Sequence, residues 1–203
     1  MNIRTVKVGS LRTNCYIVTS DASKEAVIID PGADPEKIIN AIEKESLKPV
    51  LIVNTHAHHD HVGANDFIAK KYGIVAAISE QEYELTKEWK TVYFFEFEGI
   101  DMEAYMFKKL LHDGDVIKAD GLELKVIVTP GHTSGGICLY GEGVLFSGDT
   151  LFAGDSGRTD FVGGNDNEME ASLHKLMQLP PDTKVYPGHG KATTIGQEKA
   201  AIV

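Results

Sequence analysis

Thr55-His56-Ala57-His58-His59-Asp60-His61 places four imidazoles and one carboxylate within six residues. Buried without a cation, such a set would repel itself or stay unsatisfied. Around a transition-metal ion it becomes a ligand set, since imidazole and carboxylate together suit zinc, iron or manganese. On a loop, His56 and His58 can reach one ion, while Asp60 and His61 turn toward a second. Three later stretches supply more ligands: Thr129-Pro130-Gly131-His132-Thr133-Ser134-Gly135-Gly136, Phe146-Ser147-Gly148-Asp149-Thr150 and Tyr186-Pro187-Gly188-His189-Gly190. Each alone reads as a turn or a satisfied polar residue. Counted together they give five histidines and two aspartates. That inventory serves two ions, with three histidines on one, two histidines and Asp60 on the other, and Asp149 between them. Such a pair lowers the pKa of a shared water toward neutrality, which is hydrolytic chemistry. The glycines beside His132 are expected to let backbone approach a metal closely.

These residues need elements that bring them together. Each cluster follows a strand-like run, and ligands favour the carboxyl ends of strands. Val50-Leu51-Ile52-Val53 is apolar throughout, the mark of a strand covered on both faces. Thr5-Val6-Lys7-Val8, Cys15-Tyr16-Ile17-Val18 and Ala26-Val27-Ile28-Ile29 predict a meander, ended by the turn Asp30-Pro31-Gly32. Helical spacing over 35–45 follows Asp34 as N-cap. A second helix is predicted over 67–72 and a short strand over 75–78. The later half repeats the order, with strands at 122–128, 137–140, 144–146 and 184–186 and a helix over 168–179. Two β-rich halves with outer helices predict an α/β fold of two face-to-face sheets covered by helices, in one domain spanning 1–203. Residues 80–112 stand apart, holding eight of the sixteen aromatics and a net charge of −4. They read either as a helical hairpin that buries aromatics or as a lid over a nearby site.

The 203 residues are 42% hydrophobic, enough for a sizeable core. Thirty acidic against twenty basic residues leave a formal charge of −10, which argues against nucleic acid as a partner. No apolar run approaches the roughly 18 residues of a membrane span, and the alternating, polar start does not read as a signal peptide. Cys15 and Cys138 stand alone in apolar surroundings, as buried small hydrophobes in a reducing cytoplasm.

The four motifs, in this order, resemble the metallo-β-lactamase superfamily in its glyoxalase II-like hydrolase branch. The resemblance runs from Asn14-Cys15-Tyr16 and Val27-Ile28-Ile29-Asp30-Pro31-Gly32 to His189. It implies an αββα sandwich and two divalent transition-metal ions, with zinc first and iron or manganese as alternatives. By resemblance His56, His58 and His132 hold the first ion, Asp60, His61 and His189 the second, and Asp149 bridges them. Asp60 and Asp149 are then the candidate catalytic carboxylates. His59 falls where the family has no ligand, and His112 and His174 read as surface or packing residues.

The implied activity is metal-dependent hydrolysis of a small molecule by a hydroxide shared between the ions. Thioesters of the hydroxyacylglutathione type come first. Persulfide dioxygenation at a single iron is the alternative, using His56, His132 and Asp149, and a lactone or ester hydrolase of the same fold is another. Asp149-Thr150-Leu151-Phe152-Ala153-Gly154 resembles the small hydrolases. Only 14 residues follow His189, too few for the helical domain that holds glutathione in glyoxalase II, so glutathione specificity stays open. Arg158 reads either as an anchor for a substrate carboxylate or as a partner of Asp160. A monomer or a homodimer is expected.

Overall fold

A computed structural model describes residues 1–92 and 107–202, and the side chains of 1–86 and 107–200. The first sheet takes β1 (Asn2–Val8), β2 (Thr13–Thr19) and β3 (Glu25–Ile29) as an antiparallel meander. It then adds β4 (Lys48–Val53), reached through helix α1 (Pro35–Lys44), in parallel with β3. After β4 come the single turn α2 (His59–Val62) and α3 (Asn65–Tyr72). Strand β5 (Ala76–Ser79), helix α4 (Glu80–Val92) and strand β6 (Phe107–Leu111) complete this part, with β5 and β6 parallel to β4.

The second sheet is built from β7 (Val116–Ala119), β8 (Leu122–Val128), β9 (Ile137–Gly141) and β10 (Val144–Gly148), each antiparallel to the next. A small hairpin, β11 (Leu151–Phe152) with β12 (Asp155–Ser156), projects after β10. Helix α5 (Asp166–Leu176) then returns the chain to β13 (Lys184–Pro187), which lies parallel to β10. The edge strand β14 (Thr193–Thr194) and helix α6 (Ile195–Ile202) follow. Both sheets are mixed and six-stranded among the described residues.

Period-two alternation sorts the side chains into layers. Tyr16, Val18, Val27, Ile29, Leu51 and Val53 point inward and meet Leu122, Leu124, Val126, Leu139 and Phe146 of the second sheet. Their neighbours Cys15, Ile17, Ala26, Ile28 and Ile52 point outward and pack under Ile38, Ile42 and Ile68 of α1 and α3. On the far side Cys138, Leu145 and Val185 are covered by Leu176 and Ile195. The order of layers is therefore helix, sheet, sheet, helix, as expected.

Three expectations need correction. Asp34 stands at the N-cap of α1 and Pro35 at its first position, but Asp34 is left-handed (φ 49°) and its side chain makes no capping bond; the carboxylate accepts from Gly9 N–H and the Lys37 ammonium instead. The 80–112 segment is not a helical hairpin at both ends, because Phe107–Leu111 pairs with β5 as an edge strand. Phe107 is buried there, and β-propensity in a half-buried register overrides the helical reading. Tyr93, Phe94, Phe95, Phe97 and Tyr105 lie outside the described residues, as does the lid reading that rested on them. Residues 59–62, read as loop, form the one-turn α2.

Candidate metal centre

Four strands of one direction end at the same edge of the sandwich. His56 and His58 follow β4, His132 follows β8, Asp149 follows β10 and His189 follows β13. The two sheets are also tied directly there. Ile137 N–H donates to Thr55 O (2.9 Å), Asn14 N–H to Gly188 O (2.7 Å) and the Tyr16 hydroxyl to Pro187 O (2.6 Å). A Cβ on Gly188 would stand 2.1 Å from Asp149 Oδ1 and 2.7 Å from His61 Cε1, so only glycine leaves room for these side chains to meet.

Seven expected ligands converge. His56, His58 and His132 form one triad, and Asp60, His61 and His189 another, with the ligand atoms of each within 4.8 Å of one another. His132 Nε2 lies 2.9 Å from His58 Nδ1. His189 Nε2 lies 3.2 Å from Asp60 Oδ2, and His61 Nε2 lies 3.5 Å from the same oxygen. Asp149 stands between the triads. Its Oδ1 is 3.5 Å from His61 Nε2, and its Oδ2 is 3.5 Å from His189 Nε2 and 3.7 Å from His132 Nε2.

Imidazoles of both triads are oriented from behind. Nδ1 of His61 bonds Asp30 Oδ2 (3.0 Å), Nδ1 of His132 the Arg158 carbonyl (2.7 Å) and Nδ1 of His189 the Leu11 carbonyl (3.2 Å). Thr55 Oγ donates to Asp30 Oδ2 (2.7 Å), so His56 Nδ1–H, 3.1 Å away, donates to Thr55 Oγ. Each arrangement leaves Nε2 facing the centre, which is how metal-binding histidines are held. Asp60 is fixed likewise, accepting from the Thr13 hydroxyl (2.7 Å).

The donor set fits metal ions. Among the described residues His56 Nε2 and Asp149 Oδ1 are buried without a hydrogen-bond partner, a costly state that a cation between them would relieve. Burial and neighbouring imidazoles push His56 well below its ordinary pKa and His58 down to about 3, keeping both neutral and able to ligate. Burial raises the Asp149 carboxyl despite the histidines around it. Burial opposes charge on His61 too, but Asp149, Asp30 and Asp60 together push it up to about 9. Those carboxylates form a field that favours positive charge, and a cation among them would displace that proton.

The sequence profile of the metallo-beta-lactamase superfamily matches residues 8–189. The chain belongs to this superfamily. It is 34% identical over 203 residues to the hydroxyacylglutathione hydrolase GloC of Haemophilus influenzae, covering 98% of this chain and 95% of that protein. The fold superimposes on the crystal structure of the BLEG-1 B3 metallo-beta-lactamase with a TM-score of 0.87 at 35% identity, covering 98% and 97% of the two chains. It also matches TTHA1623 in a di-iron-bound form, with a TM-score of 0.83 at 32% identity and 98% of each chain covered. As a metallo-β-lactamase superfamily chain it is a metallo-hydrolase by family, with a His/Asp cluster placed for divalent metal.

Other expected residues fall elsewhere. The Arg158 side chain is exposed, paired with Asp160 through Nε (2.6 Å) and Nη2 (2.5 Å), and lies 4.1 Å above the Phe161 ring. Its backbone carbonyl, not its guanidinium, serves the centre. His59 is exposed outside the cluster, and His112 sits at the surface between Glu80 and Asp115. Gly131 and Gly135 are small for a reason other than metal approach: a Cβ would strike the backbone of Met169 or Glu82, at 2.4 Å and 2.0 Å. Read from sequence, Asp30 is only a turn former, although an acid directly after an apolar strand is the same signal that marks Asp149. Glu82 lies in an acidic helical run with no histidine or cysteine beside it to mark it in the sequence. No described helix is long and apolar enough to cross a membrane.

Proposed function

We propose that this chain is a two-metal thioesterase acting on acylated thiols of the hydroxyacylglutathione type, with zinc as the first-choice metal. The observation that carries the reading is the completeness of the second triad. Asp60, His61 and His189 are each held by a partner outside the cluster, and Asp149 is shared with the first triad. A single-iron oxygenase needs three protein ligands and open positions, and has no use for such a second set. The GloC relative, matched over nearly its whole length, supports the substrate class.

When bound, the two ions would acidify a water and polarise the thioester carbonyl. The chain's own residues do the rest. His56, His58 and His132 would hold one ion and Asp60, His61 and His189 the other, with Asp149 fixing their separation. Asp30, Thr55 and the Arg158 and Leu11 carbonyls keep the imidazoles aimed. Water adds its oxygen to the acyl carbon, the C–S bond breaks, and the thiol leaves with a proton. No side-chain nucleophile competes for the role among the cysteines. Cys15 and Cys138 are fully buried, and burial pushes the first thiol well up and the second to about 11. Leu11 and Phe161 are exposed on either side of the cluster, and Phe152 packs beside His189. These apolar groups form a rim on which an acyl chain can lie.

The test is thiol release from a small acyl-glutathione by zinc-loaded enzyme, run beside oxygen uptake with glutathione persulfide. Thiol release without oxygen uptake is expected. Oxygen uptake by an iron-loaded single site, with no thioester cleavage, overturns the reading in favour of the dioxygenase.

A further inference from the structure

Ser79-Glu80-Gln81-Glu82 opens α4 with the spacing of a capping box, in which the third residue's carboxylate should return to the N-cap backbone. Only half of the box forms. Ser79 Oγ accepts from Glu82 N–H (3.1 Å), but the Glu82 carboxylate turns away from the helix. Its Oε1 accepts from Ala57 N–H (2.9 Å), between His56 and His58. Its Oε2 accepts from the Thr133 hydroxyl (2.7 Å) and Gly135 N–H (3.2 Å), on the loop that carries His132. The Ser79 hydroxyl meanwhile donates to the Gly135 carbonyl.

The three donors belong to two loops that leave different sheets, β4 of the first and β8 of the second. Those two loops supply the whole first triad. Glu82 is fully buried, and an unpaired carboxylate there would be costly. The backbone of Gly135 lies so close to Glu82 that no side chain fits between them. The second triad shares none of these bonds, since Asp30, Thr13 and Leu11 hold it.

We propose that Glu82 is a positioning residue for the first metal site alone, setting the spacing between the His56–His58 loop and the His132 loop from outside the cluster. Burial pushes its carboxyl up to about 7, as expected for an acid kept dry against neutral donors. The inference rests on the reading of the two triads as metal sites, and it does not depend on which substrate is cleaved.

The deciding substitution is Glu82→Gln. The amide keeps the shape but sets an N–H₂ against one of three donors, so one loop loses its anchor. Cobalt(II) binding is measured by visible absorption in two backgrounds, His61→Ala, which leaves the first site, and His58→Ala, which leaves the second. In the first background E82Q should weaken cobalt binding by roughly 10- to 100-fold, the usual effect of losing an outer partner. In the second background it should change nothing, and cobalt spectra should shift only for the first site. Equal loss at both sites would mark Glu82 as merely structural, and unchanged binding at both would also overturn the proposal. Should E82Q lack native circular dichroism, Thr133→Val removes one donor and takes its place in both backgrounds: selective loss at the first site supports the proposal, and equal or no loss overturns it. Wild-type protein that takes up no cobalt overturns the metal reading itself, and this inference with it.

Discussion

The two carboxylates of the centre are not equivalent. Asp149 reaches imidazoles of both triads, whereas Asp60 is paired with imidazoles of the second triad, His61 and His189. Asp149→Asn should therefore lower the uptake of both ions, and Asp60→Asn mainly that of the second. Metal analysis and thioester kcat/KM check this: both variants should lose at least about 10-fold in turnover, Asp149→Asn the more. A series in which Asp60→Asn is inactive and Asp149→Asn nearly normal contradicts the placement. Glu82 adds a pH signature. Among the described residues only burial and hydrogen bonds act on it, and no charge faces it. A carboxyl raised to about 7 contributes its stability below its ordinary 4.5 and loses it as pH climbs through 7. Metal-free wild type should thus lose Tm relative to E82Q between about pH 5 and pH 8; parallel Tm curves would contradict the raised value. At this scale the convergence of the cluster is legible in the sequence, because imidazoles and carboxylates in tight clusters have few other uses. Glu82 is not, since a lone acid in a helix looks like surface until tertiary structure turns it inward.

Among the elements, strands are more legible in the sequence than connections. Unbroken apolar runs mark β2, β3 and β4, and apolar alternation marks β8, whatever surrounds them. Strand β6 carries Lys108 and Lys109 and only an edge position makes it a strand, so tertiary pairing decided it. The β11–β12 hairpin and β14, two residues each, hold too few residues for any period to show. The turn between β1 and β2 carries Leu11, 65% exposed, and the loop after β12 carries Phe161, 41% exposed. Both flank the cluster, Leu11 through its carbonyl on His189 and Phe161 through its ring 5.7 Å from His58. Leu11→Ala and Phe161→Ala should raise KM for acyl thioesters with an apolar acyl group and leave metal content unchanged. Removing one such contact weakens binding by about 1–3 kcal/mol, or roughly 10- to 200-fold. Equal KM values across acyl chain lengths would remove these residues from substrate binding.

In the whole molecule each ion would take ligands from both sheets. Chelation should therefore lower global stability and not merely activity. At a free metal concentration of about 100 Kd each ion adds about 2.7 kcal/mol. For a chain of this length that is roughly 5–10 °C in Tm per ion. Calorimetry with and without chelator checks this, and an unchanged Tm contradicts it. The ligands also lie far apart along the chain. His58 and His132 are separated by 74 residues and His61 and His189 by 128, yet their nitrogens meet within 3.4 Å. Pulling the sheets apart separates the residues of both triads at once, so any bound ion would have to depart before the seam opens. The lifetime of a metal-loaded folded molecule would then follow the release of its ions. Proteolytic half-life at constant temperature should shorten in step with chelator, so the ions proposed to act in turnover would also guard the folded chain against proteases.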